Sequence, residues 1–149
     1  MYTLSRINFD TTIINEIVEL YRSVPARIHG RCNTWHSKRI RTNPYAWFAS
    51  TFDAVTNALG DLTIGEWWFN VAEPGDEYRW HEHVPYTHAA VLYLQVPDNS
   101  SAIEFRKYES YETFAPTAGD FIVFPGNLAH RVLTNNSTDY RISIAFNLR

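Results

Sequence analysis

The run WHEHV carries the clearest capacity for chemistry, because His81 and His83 stand two residues apart. On a β-strand, side chains at i and i+2 project from the same face, so two imidazoles there can share a metal ion while Glu82 points away. A third histidine, His130, follows the Pro125-Gly126 turn on a later strand-like run. A chain that travels round an antiparallel barrel or roll can return it beside the first pair, so that three imidazole nitrogens converge. Three neutral nitrogen ligands suit a divalent transition ion and leave its charge uncompensated. The alternative is chance: six histidines in 149 residues make one H-x-H pair unsurprising on surfaces and turns.

The elements that must position these residues are legible in outline. From Leu62 onward the text breaks into short runs rich in β-branched and aromatic residues: TIGEWWFNV, YRWHEHV, AAVLYLQV, SAIEFRKY, ETFAP, DFIVFP, HRVLTN and YRISIAFNL. Pro74-Gly75, Pro97-Asp98, Ala118-Gly119, Pro125-Gly126 and Asn135-Asn136 supply turns between them. Short strands so spaced predict an antiparallel jelly roll of about eight strands rather than alternating β-α units. Ahead of them, Asp10 caps a predicted helix TTIINEIVELYRSV that ends at Pro25. Asn43 and Pro44 open a second, with Trp47, Phe48, Phe52, Val55 and Leu59 along one stripe and Gly60 at its C-cap. The stretch from Ala26 to Thr42, with His29, Cys32 and His36, shows no period and reads as irregular. The expectation is one domain, 1–149, in which 1–61 is helical padding and 62–149 supplies the jelly-roll strands.

Composition bounds the function. With 45% hydrophobic and 19% charged residues the chain is globular, and a net charge of -3 without a basic run disfavours nucleic acid or an anionic membrane as partner. Cys32 is the only cysteine, which excludes an intrachain disulfide and fits a reducing compartment, with the cytoplasm as the expectation. No apolar run approaches the ~20 residues of a membrane span, and the first ten residues lack the charged-then-apolar pattern of a signal peptide.

The frame around the histidines resembles two related families. Gly75, His81 and His83 fit the cupin pattern G-x5-H-x-H, and Gly119, Pro125 and His130 fit its second motif, G-x5-P followed by histidine. Two positions depart from it. His88 stands where cupins place an acidic ligand, so His88 is weighed as a strand-edge residue against a fourth ligand, and Gly126 lies one place early. A more extensive resemblance, from Trp67 to Leu148, is to the iron(II)/2-oxoglutarate-dependent oxygenases, which share the double-stranded β-helix. It is carried by His81-x-His83, AAVLYLQVP with Tyr93, GDFIVFPGNLAHRV with His130, and RISIAFN with Arg141 and Ser143.

That resemblance implies an iron(II)/2-oxoglutarate-dependent oxygenase of hydroxylase type acting with dioxygen. His81, His83 and His130 would hold iron(II), and Arg141 and Ser143 the far carboxylate of 2-oxoglutarate. Asn70, with Trp68, is a candidate to face the pocket from the strand before His81, and Tyr93 from the strand after it. For Trp68 and Tyr93 the competing reading is core packing; for Arg141 it is an ion pair with Asp139 or Glu104. The family's usual H-x-D/E carboxylate is replaced by His83, and Glu82 could restore it only through a bulge. The substrate, a small molecule or peptide, is not readable, and a homodimer is compatible with this reading. The rival function is a cupin-like metal-binding module or sensor without 2-oxoglutarate-dependent catalysis, and a third is a jelly roll with no metal.

Overall fold

A computed structural model describes residues 1–24 and 33–149; His29 and Cys32 lie outside the described residues. The strands, in chain order, are β1 (Thr3–Arg6), β2 (Trp35–His36), β3 (Ile64–Ala72), β4 (Tyr78–His81), β5 (His88–Gln95), β6 (Ile103–Lys107), β7 (Ser110–Phe114), β8 (Asp120–Pro125), β9 (Ala129–Val132) and β10 (Arg141–Leu148). Two helices, α1 (Thr12–Ser23) and α2 (Ala49–Ala58), precede β3. The strands form two antiparallel sheets, a six-stranded one ordered β1-β8-β5-β10-β3-β2 and a four-stranded one ordered β4-β9-β6-β7. From β3 to β6, and again from β7 to β10, successive strands alternate between the sheets, while β6 and β7 form a hairpin within the smaller one. This is the jelly roll expected from the spacing of turns.

Alternation along three central strands creates the layers. On β10, Ile142, Ile144, Phe146 and Leu148 join the main core, as do Trp67, Phe69 and Val71 of β3 and Ala90, Leu92 and Leu94 of β5. Both helices close over that face: Ile13 and Ile17 of α1, and Val55 of α2 with the preceding Phe48, belong to the same cluster. A smaller cluster, with Ala89, Tyr93, Ile122 and Phe124 from the large sheet and Ile103 and Phe105 from the small one, fills the space between the sheets. The helices therefore pad the outer face of the large sheet and leave the interior of the roll open for chemistry.

Local details follow from residue type. Asp10 accepts the Thr12 N–H at 2.9 Å, satisfying a donor that the first turn of α1 leaves free. Asn43 folds back on Tyr45, accepting its N–H at 2.9 Å, so that a 3₁₀ turn at Ala46–Phe48 leads into α2 rather than a continuous helix from Pro44. Gly60 has φ +61, the left-handed conformation expected beyond a helix C-terminus.

Two expectations need correction. Residues 1–61 are not helical padding alone, because β1 pairs with β8 at the edge of the large sheet and β2 pairs with β3. Four residues of mixed polarity were too short to show a period at β1, and the strand exists because β8 offers it an unpaired edge. The stretch read as irregular also contains order: Trp35 and His36 pair with Val71 and Asn70, and Ile40 bridges Trp67.

The two faces of β10 separate stability from chemistry. Ile144→Ala, which opens a cavity under the helices, should lower the unfolding free energy by about 2–5 kcal/mol in urea titration, and Ser143→Ala on the opposite face should cost far less. Equal losses would contradict the division of faces.

Candidate metal centre and its pocket

His81 closes β4 and sits opposite His130 of β9 in the antiparallel register. His83 lies beyond the end of β4, where its backbone N–H donates to the Gly126 carbonyl at 2.7 Å. The sequence argument from one regular strand face therefore needs amending: the register shifts between Tyr78 and His81, and His83 is aimed by a loop contact. Gly126 makes this possible, since a Cβ there would collide with the Tyr86 carbonyl oxygen. Glycine at this place, one position early for the cupin pattern, is required by the close approach of two backbones.

The three ligand atoms, one from each of His81, His83 and His130, lie within 4.8 Å of one another. Each ring is held by its other nitrogen. His81 Nδ1 is 2.7 Å from the Arg79 carbonyl, His130 Nδ1 is 2.9 Å from the Leu128 carbonyl, and His83 Nδ1 is 2.7 Å from Asn147 Oδ1. A carbonyl or amide oxygen can only accept, so each Nδ1 carries the proton and donates it. Each Nε2 is then left with its lone pair, the state a metal ligand requires. The Nε2 atoms of His83 and His130 approach to 3.1 Å; with both lone pairs directed at the same space, a shared cation is the natural partner.

Burial keeps the His83 and His130 rings neutral. It lowers the pKa of His83 to about 4, an effect only partly offset by the hydrogen bond to Asn147. It also lowers that of His130 well below the ordinary value, with His81 and His83 adding to the effect. These two rings are thus ready to take a divalent ion without first releasing protons.

One pocket, with a cavity volume of about 60 Å³, has all seven predicted site residues on its wall: His81, His83, His130, Arg141, Ser143, Asn70 and Tyr93. Ser143 sits on β10 opposite Asn70 of β3 and Tyr93 of β5, so these three share one level of the sheet. Val91, Ile103, Val132 and Ala145 supply apolar walls. Arg141 is buried, and its guanidinium donates to the Ser100 carbonyl at 2.8 Å and to the Ser101 hydroxyl. The proposed ion pairs with Asp139 or Glu104 do not form: Glu104 binds Arg131 at 2.8 Å, and among the described residues no carboxylate lies within ion-pair distance of Arg141, although Asp76 lies near enough to interact with it electrostatically. Tyr93 is buried, and burial raises its pKa, so it remains a neutral phenol.

Other candidates fall outside the cluster. Glu82 is exposed, His88 lies at the start of β5 beside Thr87, and His36 is buried on β2. Sequence reasoning missed Thr34, a buried residue on the pocket wall, and Asn147, the partner of His83. Asn147 could have been found by following the alternation of β10 two positions past Ala145.

Comparisons with known proteins agree with this geometry. Residues 104–147 match the sequence family described as "Putative 2OG-Fe(II) oxygenase", a segment that includes His130, Arg141, Ser143 and Asn147 but not the H-x-H pair. Among solved structures the chain is similar to a Pseudomonas putida prolyl-4-hydroxylase, at 16% identity and a TM-score of 0.69, covering 99% of this chain and 92% of that one. It is also similar to a viral collagen prolyl hydroxylase from Paramecium Bursaria Chlorella virus-1, solved as a 2OG complex, at 12% identity and TM-score 0.71, covering 99% and 95%. A third is the non-heme alpha ketoglutarate dependent carbocyclase SnoK from nogalamycin biosynthesis, at 12% identity and TM-score 0.71, covering 99% and 78%. A search of curated protein sequences finds no match. The fold is that of the double-stranded β-helix oxygenases, and iron(II) and 2-oxoglutarate are the cofactors their family implies.

Burial of His83 has a consequence for stability. Between about pH 6.5 and about 4 the unfolded chain binds a proton that folded His83 does not, so stability falls as pH falls through that window. Chelator-treated protein should lose roughly 2–3 kcal/mol from this group across it, read as a fall in Tm. The His83→Asn variant should show a shallower fall; equal slopes would refute the assignment.

Proposed function

We propose that this chain is an iron(II)/2-oxoglutarate-dependent oxygenase in which His81, His83 and His130 hold the iron and Arg141 with Ser143 holds the far carboxylate of 2-oxoglutarate. The observation that carries this reading is the convergence of three anchored imidazoles at a pocket that also receives a buried arginine making no direct ion pair among the described residues. Iron(II) with 2-oxoglutarate supplies the activation of dioxygen; the protein positions and shields. The Nδ1 bonds of the three histidines fix ring orientation before a metal arrives, so little ordering is needed on binding. The Ser100 carbonyl and the Ser101 hydroxyl hold the Arg141 guanidinium in place, and its remaining donors can meet a carboxylate in the bidentate manner that lysine cannot reproduce. Tyr93 and Asn70 add a phenol and an amide at the same level of the pocket, and the Val91, Ile103 and Val132 side chains exclude water from the space between.

Substrate class stays open within this reading. Of the three structures named above, two are prolyl hydroxylases, one of them of collagen, and the third is a carbocyclase of nogalamycin biosynthesis, so peptide and small-molecule substrates both suit the fold. No helix among the described residues is long and apolar enough to cross a membrane. The lone Cys32 supports the cytoplasm as the working location.

The test separates cosubstrate binding from metal binding. His130→Ala should abolish stoichiometric iron(II) or nickel(II) uptake, measured by elemental analysis. Arg141→Met keeps much of the stem volume and should retain the metal. It should need about thirtyfold to thousandfold more 2-oxoglutarate to develop the visible charge-transfer absorption of a chelated 2-oxo acid under anaerobic conditions. Identical titrations for wild type and Arg141→Met would remove the Arg141 assignment. Metal uptake without any 2-oxoglutarate response would favour the metal-binding module.

A further inference from the structure

We propose that Glu66 and Asn147 form a positioning relay that sets the tautomer of His83, fixing its proton on Nδ1 and leaving Nε2 as the metal-facing lone pair. This deepens the reading of His81, His83 and His130 as ligands and rests on it.

The relay begins in strand register. Asn147 of β10 and Glu66 of β3 are direct cross-strand partners. Asn147 is buried, at 2% exposure, so water cannot stand in for its partners. Its amide has two chemically opposite ends, and rotation by half a turn would exchange them. Glu66 decides between the two orientations: an ionised carboxylate can only accept, and Asn147 Nδ2 donates to Glu66 Oε1 at 2.9 Å. Asn147 Oδ1 is thereby turned toward His83 Nδ1, at 2.7 Å, and must receive a proton from it. The reversed amide would set its oxygen against the Glu66 carboxylate, two acceptors with no hydrogen between them. It would also aim its NH₂ at His83 Nδ1 and drive the ring proton onto Nε2, where it blocks ligation. Arg39 holds Glu66 from the rim, at 3.4 Å, and lies 4.4 Å over the Trp68 ring, which keeps the carboxylate from swinging away.

This arrangement bears on the H-x-H departure. The carboxylate that the usual H-x-D/E pattern puts on the metal is replaced by His83, yet Glu66 supplies a carboxylate two hydrogen bonds behind that histidine. His81 and His130 use main-chain carbonyls for the same purpose, and these cannot flip. His83 relies on a side-chain amide, so it alone of the three needs a further group to choose the amide's direction.

The test reads the tautomer directly. Long-range ¹H–¹⁵N correlation spectra of metal-free, ¹⁵N-labelled wild type at neutral pH should show His83 protonated on Nδ1. Glu66→Gln is nearly isosteric but can donate or accept, so the Asn147 amide loses its single orientation. The expected result is a mixture of His83 tautomers and about 10–100-fold weaker cobalt(II) binding in competition with a chromophoric chelator. Adding Asn147→Asp to Glu66→Gln moves the acceptor-only group one position inward and should restore both the Nδ1–H tautomer and most of the cobalt affinity. A purely structural role for Glu66 predicts no such rescue. His83 protonated on Nε2 in wild type overturns the relay, as does a Glu66→Gln protein with unchanged tautomer and affinity. Wild type that shows the Nδ1–H tautomer but takes up no cobalt defeats the metal reading while supporting the tautomer relay, so the two failures are distinct.

Discussion

The structure depends on the way β10 is held between β3 and β5. Because side chains alternate along a strand, an antiparallel pair of neighbours on both sides forces one set of β10 residues into the helix-covered core and the other into the roll. Ile142, Ile144, Phe146 and Leu148 form the first set. Arg141, Ser143 and Ala145 line the pocket and Asn147 reaches His83, so one strand face carries contacts spread over about 20 Å. A slip of one residue in register would exchange the two sets, burying a guanidinium under the helices and exposing aromatic core to the pocket. The hydrophobic core is therefore also what sets the position of the site.

The metal centre is assembled by a different means. β4 and β9 bring His81 and His130 face to face by pairing, but His83 belongs to a loop, and its place is set by the Gly126 carbonyl behind its backbone and Asn147 behind its ring. Three rings with their Nδ1 atoms engaged have lost most of their rotational freedom. Packing and these anchors offset the cost of gathering three imidazoles with their Nε2 atoms facing one another, so little ordering is left for a metal to impose.

Much of this was legible in the sequence, and the reasons are specific. All eight runs from Leu62 onward became strands because they are rich in β-branched and aromatic residues and turn residues punctuate the chain between them. The seven predicted site residues, which line one pocket, stood out because the H-x-H pair, the strand through His130 and the last strand resemble the motif order of the 2-oxoglutarate oxygenases. What escaped depended on tertiary partners. β1 is a strand only because β8 offers an edge, and β2 only because β3 does. His83 looked like a strand residue because the HEHV text alternates, whereas Pro85 and the Gly126 contact end the pairing at His81. Asn147 and Glu66 gave no motif; an Asn and a Glu near strand ends are read as surface residues until the cross-strand register brings them together.

The charge pattern of the pocket explains why these pieces belong to one site. Arg141 is a buried cation whose direct contacts are a carbonyl and a hydroxyl, and the Asp76 carboxylate acts on it only from beyond ion-pair distance. Across the same pocket, three neutral imidazoles would leave the charge of a bound divalent ion almost undiminished. An apolar-walled space with a buried cation that makes no ion pair among the described residues at one end and a cation site at the other favours a ligand with two separated anionic groups. A monoanion would leave one end unmatched, and a neutral molecule would leave both. A dicarboxylate satisfies the two ends at once, and its desolvation is offset twice over. On this argument the preference for a dianionic 2-oxo acid comes from the layout of charge as much as from any single contact. Replacing the usual ligand carboxylate by His83 strengthens it, because the negative charge that would have screened the metal now sits outside the pocket on Glu66, behind the Asn147 amide.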